Sequence, residues 1–198
     1  MGMRQICEGI FGWDWFSAKH GYDFHGYLVE HSDGALVIDP VEPDDTTLAA
    51  LVAARPARIL LTNRNHYRAA ARIQAETGAR VAVHPADAAF VVERGVTVDD
   101  DLVAGERVGP FEIVAAPGKS PGEVALYWAA RRLLIVGDAC VGAPPGHLRL
   151  LPDAVLDDKP RLLSSLRTLA QLDVDTLLVG DGDCILHGAA QALRALVP

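Results

Sequence analysis

Four short turns rich in glycine and polar residues carry the side chains that could do chemistry in this 198-residue chain. The first is "TNRNHYR" at 62–68, which follows the apolar run 59–61. The other three are "PGKSPG" at 117–122, "VGDA" at 136–139 and "VGDG" at 179–182, and each of them also ends an apolar run. Binding and catalytic side chains concentrate where a buried strand gives way to the next element. These turns are therefore the candidate functional site.

The order of the turns, with "GYLVEHSDGALVIDP" at 26–40 before them, resembles the metallo-β-lactamase-fold superfamily of metal-dependent hydrolases, which includes the glyoxalase II-like enzymes. In that family the four turns read Thr-His-x-His-x-Asp-His, Pro-Gly-His, Gly-Asp-Ala and Gly-His-Gly, and together they ligate one or two metal ions. The resemblance runs from about Gly26 to the C-terminus. It implies a four-layer αββα sandwich of the α/β class, with two mixed β-sheets face to face and helices outside.

Most of the family's metal ligands are missing at the matching positions. The pocket residues that the resemblance assigns are Asn63, Asn65, Tyr67, Arg68, Lys119, Asp138 and Asp181. Only Asp138 matches the family's ligand. Amides are poor zinc ligands, and Arg68 and Lys119 are cations that would repel a metal ion. The sequence therefore predicts a divergent family member with degenerate metal-binding motifs and no cofactor.

The resemblance also implies that the four turns meet at one place. Two cations and two carboxylates would then balance each other where metal ions stand in the family. The asparagines and the tyrosine of the first turn would supply hydrogen bonds. The alternative is that all these side chains are solvated at the rim of a decayed pocket.

Three classes of function remain open at this point. The first is a non-hydrolytic protein that binds a small polar molecule or regulates another process, using Arg68, Lys119 and the asparagines. The second is a divergent hydrolase with a single atypical zinc, iron or manganese site, held by Asp138, Asp181 and a displaced ligand such as His66. The third is a purely structural subunit.

Other residues could supply a metal ligand or a nucleophile in place of the missing family ligands. His187 and Asp183 are further candidates for a displaced metal ligand, and Cys140 or Cys184 could serve as a thiol nucleophile. Asp39 ends a predicted strand, where the resemblance implies a place at the pocket floor and the residue type alone indicates a turn or cap.

Composition argues against several binding partners and cellular locations. The formal charge of −8 argues against nucleic acid and anionic membranes. No apolar run reaches the roughly 18 residues that span a bilayer, and the first residues lack a signal-peptide pattern, so we expect a cytoplasmic protein. Three cysteines without C-x-x-C spacing indicate free thiols. The length fits one domain over 1–198, and a homo-oligomer is left open.

Apolar periodicity predicts the elements that position the turns. A hairpin is expected from Val124–Ala129 with Leu133–Val136, and Asp99–Asp101 is expected to be a solvated loop. The expected helices lie at 42–56, 66–77, 86–93, 161–172 and 188–196.

Overall fold

Strands and helices alternate along the chain, as the apolar pattern predicts. The computed structural model describes residues 2–197. These residues form two compact units, unit 1 ending at Leu102 and unit 2 beginning at Val103. The prediction of a single domain stays a prediction, and each unit is described by itself.

Unit 1 is built on a seven-stranded sheet whose strands lie side by side in chain order. The strands are β1 (Arg4–Cys7), β2 (Ile10–Ser17), β3 (Tyr22–Val29), β4 (Leu36–Ile38), β5 (Arg58–Leu61), β6 (Arg80–Val83) and β7 (Asp100–Asp101). The pairs from β1 to β4 are antiparallel, whereas those from β4 to β7 are parallel. The sheet is therefore mixed, and its parallel half carries the first of the four turns.

The parallel strands β4, β5 and β6 are buried on both faces. Ile59, Leu60 and Leu61 are each 0% exposed, which explains why their sequence is a continuous apolar run rather than an alternating one. One face packs against the helices α1 (Asp45–Ala54), α2 (Ala70–Thr77) and α3 (Pro85–Val92).

The prediction of an unbroken helix from His66 to Thr77 is wrong. A short 3₁₀ turn covers Arg64–Tyr67, and α2 begins only at Ala70. The side chain of Asn63 captures the backbone N–H of Asn65 at 2.8 Å, which favours the tight turn over an α-helix at this point.

The prediction of a solvated loop at Asp99–Asp101 is also wrong. Asp100 and Asp101 form β7, which pairs in parallel with β6. The Asp99 carboxylate accepts the backbone N–H of Val81 at 2.8 Å, and Arg80 pairs with Asp100 at 2.7 Å. These contacts fix the acidic run against the sheet edge.

Unit 2 contains a second mixed sheet, in the order β14-β11-β10-β9-β8, and a separate two-stranded ribbon of β12 and β13. Its strands are β8 (Arg107–Val108), β9 (Phe111–Ala115), β10 (Val124–Trp128), β11 (Leu133–Val136), β12 (Val141–Gly142), β13 (Leu148–Arg149) and β14 (Thr176–Val179). The predicted hairpin is present as the antiparallel pair of β10 and β11. Strands β11 and β14 are parallel.

Two helices cover this second sheet, α4 (Lys159–Leu169) and α5 (Ala189–Leu196). Leu162, Leu166 and Leu193 pack with apolar strand residues in the core of unit 2. The predicted α/β class with two mixed sheets is thus confirmed. No helix within residues 2–197 is both long enough and apolar enough to cross a membrane.

Candidate functional site

In unit 1, the first of the four turns lies at the carboxyl edge of β4 and β5. Because these strands are parallel, with Ile38 opposite Leu60, the residues that follow them emerge at the same edge. Asp39 follows β4 and Thr62 follows β5. Thr62 donates to Asp39 from its backbone N–H at 2.8 Å and from its hydroxyl at 2.6 Å. Asp39 is fully buried and thus has the structural role of tying the two strand ends together.

The same carboxylate orients His66. The His66 Nδ1 lies 2.8 Å from the Asp39 Oδ2, and both side chains are 0% exposed. A carboxylate that accepts from Nδ1–H fixes the tautomer in which Nε2 is the unprotonated nitrogen, an arrangement common behind metal-binding and catalytic histidines. His66, which the sequence suggested as a displaced metal ligand, is therefore buried and oriented by Asp39 rather than exposed at the surface.

Asn63 of the first turn has a structural role. Asn63 is fully buried and caps the 3₁₀ turn through Asn65, as described above. The buried Asp87 of α3 accepts the backbone N–H of Arg64 at 2.9 Å and so anchors the turn to that helix. These contacts explain the position of the turn by backbone hydrogen bonding.

Tyr67 and Arg68 both contact aromatic rings of unit 1. The Tyr67 ring meets Phe90 edge-on with centroids 6.4 Å apart. The Arg68 guanidinium lies over the Phe24 ring, 4.3 Å from its centroid. A cation held against an aromatic face is stabilised by the ring quadrupole.

In unit 2, the third and fourth turns lie at the carboxyl edge of β11 and β14. Val136 lies opposite Val179 in this parallel pair, so Asp138 and Asp181 each follow their strand by two residues at the same edge. Both are 5% exposed. Each offers a carboxylate oxygen within 4.8 Å of the other's. The register of one strand pair thus brings together two carboxylates that are 43 positions apart in the sequence.

Lys119 pairs with one of these carboxylates. Its Nζ lies 3.4 Å from the Asp138 Oδ2, and the two side chains are only 9% and 6% exposed. An ammonium group at this distance from a buried carboxylate compensates its charge. The fold of unit 2 therefore brings together three of the predicted site residues, Lys119, Asp138 and Asp181.

Close backbone packing holds the turn that carries Lys119. Gly118 has a φ of 146°, and a Cβ there would lie 2.4 Å from the backbone of Leu162 in α4. Its carbonyl accepts the backbone N–H of Asp158, the residue that caps the same helix, at 2.8 Å. Glycine is required because no side chain fits between the turn and the helix.

Glu123 is a member of the site that the sequence reasoning missed. It is 1% exposed, and its Oε1 accepts the backbone N–H of Asp138 at 2.7 Å. Its place directly before the buried strand β10 is the signal that could have indicated an internal role. A carboxylate in this position holds the Asp138 turn in place.

The other candidates for a displaced ligand or nucleophile lie elsewhere in unit 2. His187 is exposed and lies 3.2 Å from Asp175, and Asp183 is exposed as well. Burial raises the pKa of the Cys140 thiol to about 12, with a contribution from the charge of Glu123. Since the thiolate is the nucleophile, this pKa disfavours the thiol hypothesis at Cys140.

The fold and the turn order define the class of protein. The family model of the metallo-beta-lactamase superfamily matches residues 5–198, so the chain belongs to that superfamily. This confirms the family and the fold that the turns predicted.

Among its relatives are two hydroxyacylglutathione hydrolases. The protein of Cereibacter sphaeroides is 31% identical over 180 residues, which are 86% of this chain and 64% of the relative. That of Anaeromyxobacter dehalogenans is 32% identical over 138 residues, which are 66% of this chain and 51% of the relative. The matches thus span only about half to two thirds of these relatives' lengths.

Solved structures agree with the family. TTHA1623, determined in a di-iron-bound form, superposes with a TM-score of 0.67 at 26% identity, covering 87% of this chain and 93% of its own. The DIM-1 metallo-β-lactamase gives a TM-score of 0.79 over 98% of this chain and 95% of its own, at 14% identity. At that identity, the second likeness shows the fold alone.

The prediction that the family's metal centre is degenerate stays a prediction. Asn63 is engaged in capping, Arg68 is a cation, and Lys119 pairs with the Asp138 carboxylate. Within unit 2, the buried carboxylates of Asp138 and Asp181 are of ligating type and lie close together.

Proposed function

We propose that this protein is a non-hydrolytic member of its superfamily that binds a small polar molecule or acts as a regulatory protein. The observation that carries the proposal is the buried contact of Lys119 with Asp138 at 3.4 Å. The ammonium supplies, beside the one retained ligand, positive charge of the kind that a metal ion provides in the family. A cation fixed there opposes the entry of a second one.

The absence of activity follows from the same chemistry. Hydrolysis in a metal site depends on the nucleophile that a bound ion generates from water at neutral pH. In unit 2 the Cys140 thiol has a strongly raised pKa, which disfavours it as an alternative nucleophile. The polar side chains of these turns would then bind a ligand instead of taking part in hydrolysis.

Direct assays test this proposal. We expect no turnover of a thioester, a β-lactam or a phosphodiester above the background rate, with zinc, iron or manganese added to the protein. Turnover that a chelator abolishes would contradict the proposal. Turnover that resists the chelator but is lost on alkylation of cysteine would contradict it as well and would favour a thiol mechanism.

A divergent hydrolase with one metal ion is the second candidate function. It is favoured by the two neighbouring buried carboxylates of Asp138 and Asp181 in unit 2. These two side chains would hold the ion, which would supply Lewis acidity and an activated water. His66, which Asp39 orients in unit 1, stays the displaced ligand that the sequence suggests. The names of the hydroxyacylglutathione hydrolase relatives suggest thioesters as the first substrates to assay.

A further inference from the structure

A cavity in unit 2 lies at the C-terminal ends of α4 and α5, outside the four glycine-rich turns. Its volume is about 370 Å³. The lining residues are Arg167, Ala170, Gln171, Arg194 and Val197. The set combines two cations, one amide and two small apolar side chains, so it offers both charge and apolar surface to a ligand.

The apolar part of the lining comes from residues that close the two helices. Ala170 and Val197 are 7% and 9% exposed and belong to one buried apolar cluster. Arg167 precedes Ala170 by three positions, which places both on one face of the end of α4. The backbone N–H of Val197 donates to the Arg194 carbonyl at 3.3 Å, so Val197 folds back against the last turn of α5. Each arginine therefore stands beside an apolar residue that lines the same cavity.

The charge at this cavity is positive. Arg167 and Arg194 lie in the last turns of their helices and are exposed. Within residues 2–197 neither guanidinium forms an ion pair or a hydrogen bond, and no lining residue is acidic. The nearest acidic residue in the sequence, Asp173, pairs with Arg132 at 2.8 Å. The two helix ends contribute roughly half a negative charge each, which does not offset two full positive charges.

Two guanidinium groups and an amide suit a phosphate group. A guanidinium fork matches phosphate oxygens with two parallel hydrogen bonds, and the Gln171 amide can donate as well. A phosphate monoester carries close to two negative charges above pH 7. The volume lies within the roughly 300 to 1,000 Å³ of small-molecule pockets, so there is room for an organic body beside the phosphate.

We propose that this cavity binds a small phosphate monoester, with its phosphate on Arg167 and Arg194 and its apolar body on Ala170 and Val197. The inference goes beyond the proposed function, because it assigns a ligand site that uses none of the residues of the four turns. Turnover at those turns would overturn the proposed function and leave this site standing.

Calorimetric titration of the intact protein at about pH 7.5 with benzyl phosphate tests the proposal, with benzyl alcohol as the matched uncharged ligand and inorganic phosphate as the ligand without a body. We expect benzyl phosphate to bind at least about 10-fold more tightly than benzyl alcohol, the lower end for a charge-assisted hydrogen bond. Inorganic phosphate should bind more weakly than benzyl phosphate, because it makes no apolar contact.

Variants locate the binding site. Arg167→Met and Arg194→Met should each weaken binding of benzyl phosphate about 10-fold, and Arg167→Lys should retain part of the affinity. Arg161→Met is the matched control and should bind like the wild type, because Arg161 is an exposed arginine of α4 that does not line the cavity.

Any of three results would overturn the proposal. They are no binding of benzyl phosphate at millimolar concentrations, binding no tighter than that of benzyl alcohol, and equal affinities of Arg167→Met and Arg161→Met. Binding of inorganic phosphate as tight as that of benzyl phosphate would overturn the monoester as the ligand. The comparison of ligands uses the unchanged protein, so the test holds even if a variant does not fold.

Discussion

Arg68 in unit 1 and Lys119 in unit 2 are the two cations that the sequence predicts at ligand positions of the superfamily, and the protein accommodates them differently. Lys119 is 9% exposed and lies 3.4 Å from a buried carboxylate. Arg68 is half-buried and lies on the face of Phe24, at the wall of a cavity. A compact ammonium needs a counter-charge when it is buried, whereas a planar, weakly hydrated guanidinium can be stabilised by an aromatic ring. We infer that Lys119 stabilises unit 2 through its buried ion pair, whereas Arg68 is stabilised in unit 1 by its contact with the Phe24 ring.

The largest effect on stability is expected from Lys119→Met. Removing the ammonium leaves Asp138 near Asp181 with less compensating charge, at a cost of about 1 to 3 kcal/mol in the free energy of unfolding. Denaturant unfolding at neutral pH measures it. Lys159→Met is the matched control, since its pair with Asp153 has side chains 44% and 71% exposed and should contribute less than about 1 kcal/mol. Equal costs for the two variants would show that burial does not distinguish the pairs.

The partly exposed Asp14 carboxylate in unit 1, which pairs with His25 and Arg4, allows the contribution of an ion pair to stability to be tested by varying the pH. Burial raises the pKa of Asp14, but hydrogen bonds and charge from His25 and Arg4 outweigh it and lower this pKa to about 2. A lowered pKa stabilises the folded state above about pH 4 and loses that effect as the pH falls to about 2. The Asp14 side chain is 27% exposed, so solvent screening reduces the contribution to about 1 kcal/mol.

The corresponding experiment compares wild type with Asp14→Asn. The difference in their free energies of unfolding should shrink between pH 4 and 2. A difference that grows on acidification would have the wrong sign and would contradict the assignment.

The smallest effect is expected from Arg68→Met, which retains an aliphatic contact with Phe24 but loses the cation. The loss should be about 0.5 to 1 kcal/mol, the range for a cation–π pair that is not fully desolvated. The same unfolding measurement ranks it against Lys119→Met. A larger cost for Arg68→Met than for Lys119→Met would reverse the comparison and assign the structural role to Arg68.

The sequence predicted the parts of the fold that depend on local pattern. The run at 59–61 and the hairpin of β10 and β11 follow from apolar periodicity, and the turn order predicted the family and the pairing of Lys119 with Asp138. The interruption before α2 was missed because it depends on one side-chain capping bond at Asn63.

Long-range contacts account for most of what was missed at the site. The contact of Arg68 with the Phe24 ring was missed because Phe24 lies 44 positions earlier in the chain. The prediction that Arg68 compensates carboxylates stays a prediction. The dyad of Asp39 and His66 depends on the parallel register of β4 and β5. Neither contact has a signal in the spacing of residues, because both arise from strand pairing between distant segments.

Metal stoichiometry tests the central claim, that a lysine compensates Asp138 in place of a metal ion, most directly. Protein purified without chelator, and protein loaded with zinc, iron or manganese and then desalted, would be measured by elemental analysis beside the variant Lys119→His with Asp181→His. That variant offers two imidazoles and the Asp138 carboxylate within unit 2, a set that suits zinc. The account predicts well under one equivalent of metal in the wild type and a clear gain of zinc in the variant. One tightly held equivalent in the wild type would contradict it and would favour the single-metal hydrolase.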